Sequence, residues 1–99
     1  MEQLDREQRQ RRFIGEDHFA ERVLGALVRL RKTPPFGEPA TLQDVTMEWI
    51  GLSSRGSQTL AILRRMEREG LAYQCSDSRW EPTLGGLRAA LWLGIEEPV

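Results

Sequence analysis

Cysteine and histidine occur once each, and no apolar run comes near the roughly 20 residues that a bilayer-crossing helix takes. Cys75 has no partner for an internal disulfide, and together with His18 it falls short of the four ligands of a structural zinc site. A disulfide scaffold and a zinc finger are thereby excluded, and no metal or cofactor is expected. The N-terminus, MEQLDREQRQRR, is charged where a secretory signal needs an apolar core, so the expected location is the cytoplasm. An excess of charge of one sign is missing too. Against 14 Lys and Arg stand 15 Asp and Glu, a net charge of −1, so nothing in the total draws the chain to a polyanion.

Catalytic groups are equally sparse. His18 stands beside Glu16 and Asp17, the place of an exposed first-turn residue, and no nucleophile or second acid–base group keeps a telling spacing from it. Gly85 and Gly86 have neither the lysine nor the spacing of a phosphate loop. The chain is not expected to be an enzyme.

What is present fits one small globular domain of 99 residues. Charge is unevenly spread. Residues 1–33 carry eight bases and six acids, 34–52 three acids and no base, 53–79 five bases and three acids, and 80–99 one base and three acids. All 14 bases but Lys32 are arginine, a bias that fits either guanidinium chemistry at phosphates or a GC-rich genome.

Residues 1–16 offer little to bury before Phe13 and Ile14, and are expected as an N-terminal arm or solvated helix. From Asp17 the spacing of Phe19, Val23, Leu27 and Leu30 predicts a helix with one apolar face, closed by the prolines of TPPFGEP. A second helix starts at TLQD, with Thr41 as cap and Asp44 completing a capping box. It buries Leu42, Val45 and Trp49 and stops at Gly51. About three residues later a third begins, capped by Ser53 or Ser54 and ended by Gly70, and such a short link is the spacing of a helix-turn-helix. Next comes a hairpin with Leu71, Tyr73 and Cys75 on its apolar side, so that Cys75 is expected as a buried small residue. A turn of Ser76, Asp77 and Ser78 leads to Trp80, expected to pack on the third helix. Thr83 then caps a last helix with Leu84, Leu87 and Leu91 on one face.

The phrase TLAILRRMEREGLA, with Leu60, Leu63, Met66, Glu67, Gly70 and Leu71, followed by a short hairpin and PTLGGLRAA, resembles the winged helix-turn-helix domains of bacterial transcriptional regulators of the PadR-like and MarR-like kind. The resemblance covers residues 17–93 and leaves 94–99 as a C-terminal tail. It implies an α+β, mostly α fold in the order helix, helix, helix, strand, strand, helix. It also implies a protein that binds double-stranded DNA and regulates transcription, with the third helix in the major groove.

At 100° per residue, with Leu63 at the centre of the buried side, Leu60 and Met66 fall about 60° to either side. Gln58, Ala61, Arg65 and Arg68 then point outward, with Ile62, Arg64 and Glu69 at the margins. Such a face suits a major groove: glutamine pairs adenine, arginine pairs guanine or phosphate, and alanine allows close approach. Ser54, Arg55 and Ser57, near the helix N-terminus, suit phosphate, and Arg79 is the basic residue at the base of the hairpin.

Trp92 and Leu93 lie well off the expected face of the last helix and need a second cover. That cover comes from Leu4, Phe13 or Ile14 of the same chain, or from a second subunit in a homodimer whose interface holds Leu4, Phe13, Trp92 and Leu93. The alternative function is a winged-helix adaptor, phage-encoded or accessory, that binds protein and no nucleic acid. The near-neutral charge, the acids Glu38, Asp44 and Glu48, and a hairpin tip carrying Asp77 favour it.

Overall fold

The computed structural model describes residues 2–31, 39–76 and 79–95, with side chains from Asp5 onward and without that of Ser76. The described residues form an α+β, mostly helical fold of five α-helices and three short strands. In chain order these are α1 (Glu2–Glu16), α2 (His18–Arg31), β1 (Ala40–Thr41), α3 (Leu42–Trp49), α4 (Gly56–Arg68), β2 (Ala72–Ser76), β3 (Arg79–Pro82) and α5 (Leu84–Leu93). A single 3-10 turn, Ser53–Arg55, joins α3 to α4.

Val23 to Val28 is a run without a charge, and a helix apolar on all sides needs neighbours on all sides. Every residue of that run is buried, and α2 touches α1, α3, α4, α5, β1 and β3. The inward arc centres on Ala20, Leu24 and Leu27, which leaves Phe19 at its margin, 44% exposed rather than in the core. The Phe19 ring instead tilts against that of Trp49, with centroids 5.6 Å apart.

The N-terminal segment is a helix and it is docked. Phe13 and Ile14 belong to the same core cluster as α2, and the amide of buried Gln10 donates to the Glu69 carbonyl at 2.7 Å. Asp17 alone separates α1 from α2. Its N–H donates to the Phe13 carbonyl at 3.1 Å, while its Oδ1 accepts from the N–H groups of Phe19 (3.1 Å) and Ala20 (3.3 Å), which starts α2 as an N-cap does.

The expected capping box of α3 is present. Thr41 Oγ1 accepts from the Asp44 N–H at 3.1 Å and Asp44 Oδ2 from the Thr41 N–H at 3.2 Å. The serine cap of the next helix is not. Ser53 and Ser54 lie in the 3-10 turn, and α4 begins at Gly56 with no side-chain cap. Gly70 ends α4 at φ +75°, with its own N–H on the Glu67 carbonyl (3.1 Å) and that of Leu71 on Met66 (2.9 Å), a Schellman closure.

The sheet is antiparallel in the order β1-β3-β2, and β1 is a strand the sequence did not announce. Ala40 and Thr41 become strand because they pair with Trp80 and Arg79. The hairpin runs one residue out of the expected phase: Ala72 faces the core while Tyr73 and Cys75 face outward. Leu71 is buried as part of the α4 exit and not as the first strand residue, so alternation starts one position later and every side flips. Trp80 is 1% exposed, with the Arg64 guanidinium over its ring at 5.3 Å. Its indole N–H meets no acceptor among the described residues. The turn residues Asp77 and Ser78 lie outside the described residues.

The last helix also turns away from expectation. Leu84 and Leu91 are 75% and 69% exposed, and the buried face is Gly86, Ala89 and Ala90. A Cβ on Gly86 would stand 2.1 Å from the Leu71 carbonyl oxygen, so only glycine lets α5 come so close to the α4 exit. Small residues win the inner side because the backbones approach there, and Leu84 and Leu91 are left outside while Leu87 stays half-buried against the core. The expected cap is in place: Thr83 Oγ1 accepts from the Gly86 N–H at 3.0 Å and donates to the Gly70 carbonyl.

Candidate functional site

The position of α4 is set by three buried side chains. Thr59 Oγ1 donates to the Arg55 carbonyl (3.0 Å) and accepts from Trp49 Nε1 (2.8 Å), and it lies 2.9 Å from Thr46 Oγ1, whose hydroxyl also reaches the Leu42 carbonyl (2.8 Å). Thr46 and Thr59 are 1% and 0% exposed, so the network works without competition from water. It ties the end of α3, the 3-10 turn and the first turn of α4 into one rigid corner. Thr59, Ile62, Leu63 and Met66 form the inner face of α4, with Leu60 half-buried.

The opposite face is turned to solvent. Ser54, Arg55, Ser57, Ala61, Arg64, Arg65 and Arg68 are exposed and Gln58 is half-buried, as the helical geometry anticipated. The arginines differ in what holds them. Arg65 Nη1 sits 3.1 Å from Asp17 Oδ2, and its guanidinium lies 4.9 Å above the Phe13 ring. On the other flank Arg64 Nη1 accompanies Gln74 Oε1 (3.0 Å) and Glu67 Oε1 (3.4 Å). Arg79 is half-buried and donates from Nη1 to the Pro39 carbonyl at 2.8 Å, which ties the hairpin to the start of β1. The side chains of Arg55 and Arg68 make no hydrogen bond or ion pair among the described residues.

The acids of α3 are occupied locally. Asp44 serves the capping box, and Glu48 Oε1 pairs with Arg29 Nε of α2 at 2.8 Å; Glu38 lies outside the described residues. On the outer face of the hairpin the Tyr73 hydroxyl donates to Glu81 Oε2 at 2.5 Å, and that carboxylate pushes the phenol up to about 12. Partial desolvation, then the same carboxylate, raises the Cys75 thiol, which keeps it a poor thiolate.

A groove of about 990 Å³ runs between α1 and α5, lined among others by Arg6, Gln10, Leu84, Arg88, Leu91 and Trp92. Trp92 finds its cover within the chain, under the Arg11 guanidinium at 4.4 Å, and Leu93 packs against the chain's own core. Phe13 is 7% exposed beneath Arg65, and the Leu4 side chain lies outside the described residues. The large apolar side chains that α5 leaves open are Leu84 and Leu91.

Sequence reasoning missed Asp17 and the Thr46–Thr59 pair. Asp17 carried a signal, since it stands directly before a helix where caps belong. The threonines carried none, because their partners are 10 to 13 positions apart along the chain. Comparison with protein-family models, curated proteins and solved structures gave no match.

Proposed function

We propose that the chain is a winged helix-turn-helix protein that binds double-stranded DNA in the cytoplasm and regulates transcription, with α4 in the major groove. The observation that carries this reading is the outer face of α4, where Ala61, Arg65 and Arg68 are exposed beside half-buried Gln58 on a helix whose seating is fixed by hydrogen bonds. The order helix, strand, helix, tight turn, helix, strand, strand supports it, since that order sets one exposed helix beside one hairpin. The guanidinium groups of Arg55 and Arg68, with no hydrogen bond or ion pair among the described residues, suit phosphates.

The reading includes a two-fold dimer, for which the open Leu84 and Leu91 on α5 are better suited than Phe13 and Leu93, which serve the chain's own core. Selection from a random duplex pool at low salt, followed by binding titrations, tests the proposal. A preferred sequence is expected to emerge, and Arg65→Ala should weaken its binding at least tenfold while Arg31→Ala, at the far end of α2, leaves it unchanged. A pool that stays random through the selection would refute it.

The adaptor reading retains one specific support: Arg64, Arg65 and Arg79 are all engaged inside the chain. It gains if the pool stays random while a stoichiometric protein partner co-purifies with the chain.

A further inference from the structure

Of the three arginines of α4, Arg64 and Arg65 are held by neighbours. The side chain of Arg68, like that of Arg55 in the turn before the helix, makes no hydrogen bond or ion pair among the described residues, and the difference bears on what each can read. The cage around Arg65 is built from groups that are themselves fixed. Phe13 is a core residue at 7% exposure, and Asp17 has a side chain only 16% exposed, with Oδ1 committed to the first N–H groups of α2. Oδ2 is left to face Arg65 Nη1 at 3.1 Å. The ring holds the guanidinium plane from below and the carboxylate holds one corner, while the Arg65 side chain is still 50% exposed.

A guanidinium has five N–H donors in a planar fork, and the Asp17 contact uses only one nitrogen. Nε and Nη2 make no hydrogen bond or ion pair among the described residues, which leaves one edge of the fork for an outside acceptor. An arginine that must find a base edge from a mobile start loses side-chain freedom on binding, whereas one already held loses less. Two parallel bonds to guanine O6 and N7 demand a fixed plane, and a phosphate does not.

We infer that Asp17 is the positioning residue for Arg65, holding it to read a guanine edge, while Arg55 and Arg68 supply sequence-independent phosphate contacts. This rests on the DNA-binding reading above. Asp17 then acts on discrimination and opposes total affinity, because a carboxylate near a polyanion repels it. The N-terminal helix, through Phe13, becomes part of the recognition apparatus without touching DNA.

The test uses the full chain and the selected duplex, together with duplexes in which each G·C pair is replaced in turn. Asp17→Asn keeps the capping oxygen and so should keep the fold, which thermal unfolding checks. At one G·C position the wild type should discriminate about tenfold or more, and both Asp17→Asn and Arg65→Ala should reduce that ratio to near unity at the same position. Affinity for random duplex should be unchanged or higher in Asp17→Asn. A merely structural role would lower affinity for all duplexes in parallel and leave the ratio intact, and that outcome overturns the inference. So does a ratio that falls in Arg65→Ala and stands in Asp17→Asn. Wild-type protein that binds no duplex ends the DNA-binding reading itself and takes this inference with it.

Discussion

Thr59 shows how much can depend on one hydroxyl. It is the junction of the corner that seats α4, accepting from the Trp49 indole at 2.8 Å and donating to the Arg55 carbonyl at 3.0 Å. Thr59→Val keeps the volume, strands the buried Trp49 indole N–H and removes the part-buried bond to the Arg55 carbonyl. Each buried group left unpaired costs about 1–3 kcal/mol. Urea unfolding should therefore put Thr59→Val at least about 2 kcal/mol below wild type, with Thr59→Ser recovering much of the loss. A valine variant of wild-type stability would mean that the hydrogen bonds are not what sets this corner. Arg65 stands at the same scale, since its guanidinium is held by Asp17, 48 positions earlier in the chain.

Among the elements, α5 is where packing overrode pattern. Its sequence spaces leucines on one face, yet Leu84 and Leu91 of that face are outside and Leu87 is only half-buried, because Gly86 must sit against the Leu71 carbonyl and the residues around it must be small. Gly86→Ala should cost about 1–3 kcal/mol through overpacking. Gly15→Ala, in α1 with nothing within 4 Å of the added carbon, should instead stabilise by about 0.5–1 kcal/mol. Thermal unfolding of the two variants checks both signs, and a neutral Gly86→Ala would contradict the close approach.

The same contrast separates what was legible from what was not. The capping box at Thr41 and Asp44 and the turn at Gly70 could be read directly, because each is made by neighbours in the chain. The outer face of α4 was legible for a similar reason: Leu63 and Met66 fix one side and geometry fixes the other. The hairpin phase was not, because Leu71 reads equally as strand or as helix exit. Strand β1 was not, because two residues become strand only through their partner. The cover of Trp92 was half legible, since the need for it showed in the sequence but Arg11 as its source did not.

In the molecule as a whole, charge is arranged rather than accumulated. The net charge of −1 gives no general attraction to a polyanion, so the proposed DNA binding would rest on a few cations such as Arg55 and Arg68. Glu48 is neutralised by Arg29 and Asp44 is used in a cap, so the acids of α3 are engaged in the fold itself. The guanidinium groups of Arg55 and Arg68 are unengaged among the described residues and Leu84 and Leu91 stand open, and the proposal assigns the first pair to phosphates and the second to a second copy.

The measurement that tests the DNA-binding account most directly is the salt dependence of binding to the selected duplex, for wild type and Arg68→Ala. The logarithm of the association constant should fall linearly with the logarithm of salt concentration, and loss of Arg68 should reduce the slope by about 0.9 for each phosphate contact removed. Binding that is absent at the lowest salt, or a slope that Arg68→Ala leaves untouched, would contradict the account.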